Sequence, residues 1–436
     1  MRRHSFHAIP AMMPSSRPVL LQPKTWLVFI TVWALAVNSW LGPAFIGLSL
    51  FLWAAYCLQN GSFAARSLGA LGVVPWLLPL LALMSAFWSP VPELTARAAI
   101  QFGVTVALAL MTARLVPPRR FIVTFWAVMA IILIFSIFIN KPHYDGMTGR
   151  TTMSGVFGNK NLLSLCCGIF ALSSAAIALD RNFAAVFRMI GFLGIIFGLT
   201  MSVLARSVGF TAAMMIGLAA LVMISTVQLL PVYLRKTYVK LATLAGVATG
   251  AIGLVFVVSF AEDFLALVGK DSTLTGRTVL WFYADRLSQD YLPLGIGFHA
   301  FWQQGFAPAE QLWKMMHIAS RRGFHFHSLY YEVLVQIGYL GVFLCLINII
   351  YCVAKSFRFL YKSPGVVSVF FFSFILMLLF TQGQEVGIFS QFDLYCYCFF
   401  SSMAYVVNWS RDGGKLEQVR AWPFRFPAHG IQNRTI

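Results

Sequence analysis

The stretch HFHSLYYEVL, His325 to Leu334, places two imidazoles and a hydroxyl directly before a long apolar run. A neutral imidazole, whose ordinary pKa is about 6.5, can take a proton from a sugar hydroxyl, and nearby cations keep it neutral. His-x-His can also bind a metal, but no Cys, Asp or third His is spaced to complete a zinc site. A structural histidine at a helix start is the third interpretation. We favour a general base.

Two arginines stand beside small residues at breaks between apolar segments. Arg206 lies in LARSVGF, the only break in the apolar stretch 187–226. As a single helix that stretch would measure about 60 Å, twice the hydrocarbon thickness, so it must fold back. Arg277 lies in LTGRTVLW. Either arginine can simply reach lipid headgroups. Because guanidinium binds phosphate oxygens bidentately, the pair favours a bound diphosphate.

A third polar stretch, VFGNKNLL, opens another apolar run. Asn159 can cap the helix that follows, which is the structural interpretation. Together with Lys141 and Arg150, Lys160 instead makes this connection unusually basic, which favours a bound anion. Arg97, after the interfacial tryptophan in SAFWSPVPELTARAA, is a weaker candidate for the same anion site.

Composition places these residues in a membrane protein. Hydrophobic residues make up 59% of the chain and charged residues 11%, and the mean hydropathy is +0.78. Soluble domains carry about a quarter charged residues. The net charge of +18 comes without any nucleic-acid-binding motif, so nucleic acid is rejected as a partner. The seven cysteines fall in apolar runs, which predicts neither structural disulfides nor metal thiolates.

Apolar runs long enough to cross about 30 Å of hydrocarbon recur along the chain. The predicted fold is therefore an all-α polytopic membrane protein with about twelve transmembrane helices and one large extracytoplasmic loop carrying short amphipathic helices. The predicted spans are 25–41, 43–59, 68–87, 98–114, 121–140, 161–179, 187–206, 208–226, 239–260, 329–353, 365–382 and 389–409.

Most of the 32 Lys and Arg residues fall in the two tails and in the connections that lie on the same side of the membrane as the N-terminus. The positive-inside rule then predicts that both termini are cytoplasmic and that the acidic loops face outward. The large loop is predicted to contain two short helices. The first, in TLTGRTVLWFYADRL, starts near Thr275, and the second, in PAEQLWKMM, has Pro308 in its first turn. The predicted organisation is an N-terminal tail (1–24), nine helices (25–260), the loop (261–328), three helices (329–409) and a C-terminal tail (410–436).

Five stretches in this order resemble the O-antigen ligase and Wzy-type polysaccharide polymerase family. They are FWSPVPELTAR, GVFGNKNLLS, ARSVG, TGRTVLW followed by PLGIGF, and HSLYYEVLVQIGYLG. The resemblance covers roughly residues 80–350. The GNKN form together with TGRTVLW is most similar to the exopolysaccharide polymerases of that family.

The resemblance implies roles for particular residues. Arg206 and Arg277 would hold a lipid-linked diphosphate, and His327 would face the acceptor hydroxyl, with His325 as the alternative base. Ser328 departs from the family, which usually has Asn there, and this bears on how His327 is positioned. The substrate-binding residues are expected to be Lys160, Arg150, Asn159, Asn161, Arg97, His325, Arg322 and Trp281.

The same resemblance implies a glycosyltransferase of the bacterial inner membrane, with its site facing the periplasm. It would use an undecaprenyl-diphosphate-linked glycan, invert the anomeric centre, and need neither metal nor cofactor, since arginines neutralise the leaving group. The expected partners are the glycan donor, a glycan or lipid acceptor and membrane lipid, with polysaccharide export machinery as a possible partner. Ligation to lipid A core and protein glycosylation stay open. A flippase is disfavoured. Transporters place charges midway along spans and show internal symmetry, whereas this sequence has its charges at the ends of the predicted spans and one long loop that breaks any symmetry.

Overall fold

The computed structural model describes residues 23–69, 72–140, 142–145, 150–259 and 276–411, and these are mostly helical. Both predicted tails, for the most part, and the first part of the predicted loop lie outside these ranges. The α-helices are α1 (Pro23–Leu41), α2 (Ala44–Gln59), α3 (Phe63–Gly69), α4 (Leu77–Met84), α5 (Pro92–Leu115), α6 (Pro118–Phe138), α7 (Lys160–Leu179), α8 (Ala185–Ala205), α9 (Val208–Ser225), α10 (Val232–Ser259), α11 (Arg277–Tyr291), α12 (Ala307–Met315), α13 (Leu329–Lys362), α14 (Val366–Thr381) and α15 (Leu394–Arg411).

Apart from one short hairpin, the described residues are those of an all-α polytopic membrane protein. Its strands, β1 (His143–Asp145) and β2 (Arg150–Thr152), pair antiparallel between α6 and α7. Among the described residues, seven helices are long and apolar enough to cross a membrane, or eight if α2 and α3, bent by 107°, form one span. The seven are α1, α5, α6, α7, α8, α9 and α13.

The count of about twelve spans is not confirmed. Every predicted run contains helix, but some of these helices are short. The 16 residues of α14 correspond to about 24 Å of helix, against about 30 Å of hydrocarbon. The run predicted at 68–87 includes the end of α3, a short 3-10 turn around Pro75 and the eight residues of α4, so its described residues do not form one continuous α-helix. Apolar composition located these helices but not their lengths.

Helix α7 forms the centre of the bundle, and 83% of its apolar window is buried. Helix α8 packs closely against it, because Gly191 and Gly194 face α7 with no room for a side chain and Gly198 faces it with little room. The opposite side of α8 exposes large apolar residues such as Phe192 and Leu193, as a lipid-facing helix does. The seven cysteines are free and lie within α2, α7, α13 and α15.

Helix α13 is broken in its first half, and the break receives the PLGIGF segment. Ile337 and Gly338 have non-helical backbone angles. The freed backbone groups pair with the segment instead of with the helix, since the amides of Ile296 and Gly297 donate to α13 carbonyls at 3.0 and 2.8 Å. Gly295 and Gly338 have positive φ and no space for a Cβ, so these two backbones touch.

Helices α11 and α12 lie in the segment before α13, where the sequence predicted two short helices. The first begins at Arg277, and the second has Pro308 in its first turn. They share a small apolar core with the end of the segment, built on Leu280, Phe301, Trp313 and Phe326. This core holds the histidine stretch against the start of α13.

Candidate functional site

The two histidines of HFHSLYYEVL meet a carboxylate from a distant segment. His325 Nε2 lies 3.0 Å from Oε2 of Glu385, which follows α14. The Nδ1 atom of His325 accepts a hydrogen bond from the backbone amide of His327 at 3.1 Å. An imidazole nitrogen that accepts carries no proton, so neutral His325 is protonated at Nε2 and donates that proton to Glu385.

His327 completes the pair. Its backbone is left-handed, with φ at +53°, which turns the side chain back toward His325. The ring centroids of His325 and His327 are 4.2 Å apart. Nδ1 of His327 lies 3.8 Å from Glu385 Oε1, too far for a hydrogen bond, and it is buried without a hydrogen-bond partner. The carboxylate therefore acts on this ring through its charge.

The second oxygen of Glu385 joins the cluster to the arginine turn. Asn161 Nδ2 donates to Glu385 Oε1 at 2.7 Å. The side-chain oxygen of Asn161 in turn accepts from Ser207 Oγ at 2.8 Å. Ser207 follows Arg206 in the turn between α8 and α9. Glu385 is thus fixed from two sides, by His325 and by Asn161.

The environment separates the pKa values of the three groups. Burial disfavours the charged carboxylate, but the charge of His325 and contact with both imidazoles hold the pKa of Glu385 well below its ordinary value. Burial lowers the pKa of His325, but the attraction of Glu385 is larger and the pKa is raised. Protonation of His325 at Nδ1 would break the hydrogen bond that Nδ1 accepts from the amide of His327, and this limits how far the pKa rises. Burial and the charge of His325 lower the pKa of His327. His327 is therefore the neutral imidazole.

Arg277 supplies positive charge to this cluster. It is the first residue of α11 and is half-buried. Burial lowers its pKa, and the opposing attraction of Glu385 shows that the two charges act on each other. Its charge also lowers the pKa values of His325 and His327. This guanidinium is partly withdrawn from water, and no carboxylate among the described residues pairs with it directly, which suits it to an anionic ligand.

The backbone between the two histidines is held by buried hydrogen bonds. The amide of Phe326 donates to Glu332 Oε2 at 2.8 Å, and its carbonyl accepts from Trp281 Nε1 at 3.0 Å. The other oxygen of Glu332 accepts from Trp302 and Gln336. Because both backbone polar groups of Phe326 have partners, the two imidazoles on either side of it have fixed positions. Trp281 acts here as a support for the loop.

A cavity of about 280 Å³ opens beside His325. Its walls come from the starts of α7 and α13, the segment after α11 and the linker between α14 and α15. The lining includes the aromatic rings of Phe298, Trp302 and Phe324, and the polar side chains of Asn159, His299, Gln336, Gln391 and Asp393. All these elements meet at one end of the bundle. The other end of α7 is distinct from this one, since it carries the Arg119–Asp180 ion pair, at 2.8 Å, where α6 begins and α7 ends.

The predicted site residues divide into two groups. His325, His327, Arg277 and Asn161 are brought together around Glu385. The other predicted residues have different environments. Asn159 caps α7 through its side-chain oxygen and also lines the cavity, and Lys160 begins α7. Arg97, Arg206 and Arg322 are exposed. The side chain of Arg150 is not among those described.

Sequence reasoning missed three residues of this site. Glu385 stands alone in QGQEVG, and no spacing relates it to the histidines. His299 lines the cavity with a positive φ, and burial followed by the charge of Arg97 lowers its pKa. Asp393 accepts from the amide of Tyr395 at the start of α15, and burial raises its pKa to about 6. The one available signal was an acidic residue beside an apolar run.

The cluster also contains a set of potential metal ligands. One atom each of His325, His327 and Glu385 lies within 4.8 Å of the other two. The sequence argument against a metal relied on a missing third ligand, and Glu385 supplies one. As bonded here, however, His325 directs a proton at Glu385 and Asn161 holds the other oxygen, so a metal would have to displace both hydrogen bonds. The hydrogen bonding favours a proton-transfer cluster.

Fold and site together define a polytopic helical membrane protein with a charged, partly buried cluster at one end of its bundle. The chain is similar to the exopolysaccharide production protein ExoQ of Rhizobium meliloti (strain 1021), with 34% identity over 277 residues. The match covers 61% of this chain and 60% of ExoQ, so it spans less than two thirds of that relative. No protein-family model matches the chain.

Proposed function

We propose that the protein is an inner-membrane glycosyltransferase that polymerises a glycan carried on a polyprenyl diphosphate, on the extracytoplasmic side, during exopolysaccharide synthesis. The observation that carries this proposal is the convergence of His325, His327, Glu385 and Arg277 beside a cavity at one end of the bundle. The similarity to an exopolysaccharide production protein favours polymerisation over ligation to lipid A core.

The glycan donor is assigned to the arginine side of the cluster. When the anomeric bond breaks, negative charge develops on the leaving diphosphate. Arg277, which is half-buried at the start of α11, stabilises that charge more strongly than a fully hydrated cation would. Arg206 is exposed in the α8–α9 turn, where its neighbour Ser207 is linked to Glu385 through Asn161. It is suited to hold the outer phosphate.

The proton is assigned to His327. Because its pKa is lowered, His327 is neutral at neutral pH and can accept the proton of the acceptor hydroxyl. The Glu385 carboxylate beside Nδ1 favours a proton on that nitrogen, which leaves Nε2 as the acceptor. It also stabilises the imidazolium that forms.

The reaction then balances without a further reactant. The deprotonated hydroxyl oxygen attacks the anomeric carbon from the face opposite the diphosphate and forms the new glycosidic bond. The old carbon–oxygen bond breaks, and polyprenyl diphosphate leaves with its electron pair. A single displacement of this kind inverts the anomeric configuration, and the proton on His327 returns to water.

The test is transfer by the purified protein in detergent, with a synthetic undecaprenyl-diphosphate-linked repeat as both donor and acceptor. We expect lipid-linked products longer than one repeat, with inverted linkages and with activity unchanged by EDTA. Products longer than one repeat cannot come from a transporter, because detergent removes the two compartments. Absence of any elongation would contradict the proposal. Loss of activity in EDTA would show that the cluster binds a metal and does not act by proton transfer alone.

A further inference from the structure

The cavity beside His325 has a chemical character of its own, distinct from the arginine side of the cluster. None of the described residues that line it is Lys or Arg. Three of them are carboxylates, Glu332, Glu385 and Asp393, and each is held by hydrogen bonds from the protein. A diphosphate would meet these carboxylates without a lysine or arginine to neutralise it, and the His325 imidazole in the wall is already paired with Glu385. The cavity is therefore not the place of the leaving group.

Several polar side chains in the cavity wall have no partner among the described residues. His299, Ser390 and Gln391 line the space, and no hydrogen bond joins the His299 ring nitrogens, the Ser390 hydroxyl or the Gln391 amide to another described residue. His299 is kept neutral, since burial and then the charge of Arg97 lower its pKa. Neutral donors and acceptors that face a cavity match a ligand rich in hydroxyl groups.

Aromatic rings and size narrow the ligand further. Trp302 and Phe324 lie in the wall, their ring centroids 5.2 Å apart in an edge arrangement. Aromatic faces suit the C–H face of a sugar ring. The volume of about 280 Å³ is just below the range of about 300–1,000 Å³ that drug-sized ligands occupy. This space can hold one sugar ring.

We propose that this cavity binds the terminal sugar of the acceptor, the one whose hydroxyl is glycosylated, and that it selects an uncharged sugar over an acidic one. This inference rests on the proposed function. His325 lines the cavity, His327 is 4.2 Å from it between ring centroids, and neither His327 nor Arg277 is a lining residue. The proposal therefore places the acceptor sugar and the diphosphate in different parts of the cluster. Selectivity follows from the carboxylates, which repel a uronate, and from the absence of lysine and arginine among the described lining residues.

The experiment uses inhibition of transfer by free sugars in the detergent assay. The probes are glucose, galactose and the two corresponding uronates, tested at a fixed concentration of the lipid-linked donor and varied concentrations of a separate acceptor, the same repeat as a simple glycoside that has no diphosphate and cannot act as donor. We expect a neutral sugar to compete with the acceptor and its uronate to bind at least tenfold more weakly. Gln391→Lys places a cation in the wall and should narrow the difference between the sugar and its uronate. Gln391→Glu keeps the side-chain length and adds the opposite charge, and it should not.

The kinetic constants of the same variants separate this inference from the proposed function. His299→Gln and both Gln391 variants should raise KM for the acceptor about tenfold and leave KM for the donor near that of the wild type. Gln311→Lys, exposed on α12, adds the same charge outside the cavity and should behave as wild type. Equal inhibition by sugar and uronate, or unchanged acceptor KM in the cavity variants, overturns the inference while wild-type transfer persists. If the wild type itself shows no transfer, both proposals fail.

Discussion

His325 Nε2 and Glu385 Oε2 lie 3.0 Å apart, although one residue precedes α13 and the other follows α14. The contact exists because α13 leaves this end of the bundle and α14 returns to it. A carboxylate fixed behind an imidazole determines which nitrogen is protonated and stabilises the charge that proton transfer creates. Glu385 is therefore a positioning residue for both histidines.

Replacing Glu385 by glutamine is expected to lower transfer by about two orders of magnitude, the usual range for general acid–base assistance. The amide keeps the volume but presents an N–H to either Asn161 or His325, both of which already donate. The measurement is kcat and its pH profile in detergent. Glu93→Gln changes an exposed acid at the start of α5 and should have wild-type kinetics. Equal activity of the two variants would remove Glu385 from the mechanism.

His327→Asn is expected to abolish the base. Asparagine tolerates the left-handed backbone of position 327, so the loop is retained while the imidazole is lost. Transfer should fall about 10²- to 10⁴-fold, with little change in thermal stability. His317 also has a positive φ, +56°, and is exposed, which makes His317→Asn a matched control. Normal activity in His327→Asn, with loss in His325→Asn, would assign the base to His325.

Arg277→Lys tests whether the fork of the guanidinium matters in addition to its charge. An ammonium cannot bind two phosphate oxygens at once, so we expect a loss of about 10²- to 10³-fold in kcat. Arg286, on the same helix, is exposed and lies over the Phe282 ring. Arg286→Lys should retain full activity. A normal kcat in Arg277→Lys would show that charge alone suffices.

The pair of Glu385 and His325 predicts a pH window for stability. The pKa of Glu385 is lowered by folding, so its contribution is present above about its ordinary value of 4.5 and is lost as pH falls through the folded pKa. The pKa of His325 is raised, so its contribution is full below about 6.5 and is lost as pH rises through the folded pKa. The wild type should therefore exceed Glu385→Gln in melting temperature most between about pH 4.5 and 6.5. A difference independent of pH would contradict the ion pair.

Much of the helical framework could be predicted from the sequence, because apolar runs and charged breaks are local signals. The number of crossings could not. Composition does not record the 107° bend between α2 and α3, or the short length of α14. Those features depend on which neighbouring helices bury each segment. The cytoplasmic termini remain a prediction, because residues 1–22 and 412–436 lie outside the described residues.

The site could be predicted in part. The histidines and Arg277 carry recognisable sequence patterns, and they converge. Glu385 has no such pattern, since its position depends on the return of α14. The role of Arg206 in diphosphate binding stays a prediction, because its guanidinium is exposed and the hydrogen bond to the cluster comes from its neighbour Ser207. Asn159 shows why capping and ligand binding need not compete, since it caps α7 and also lines the cavity.

The break in α13 gives a prediction about the support of the site. Gly338 has a φ of +66° and contacts the backbone carbonyl of Pro293, so a methyl group at this position would meet both strain and a clash. Gly305 also has a positive φ, +84°, but has open space around it. Strain alone costs about 1–2 kcal/mol per residue in the left-handed region.

Gly305→Ala should therefore lower the melting temperature modestly, and Gly338→Ala should lower it more and also reduce transfer. The reduction follows because the segment docked in the break continues to His299 and the cavity wall. Melting temperature and acceptor KM, measured on the same detergent-solubilised samples, separate strain from displacement of the site. Equal effects of the two substitutions on both quantities would mean that the docked segment can move without disturbing the cavity.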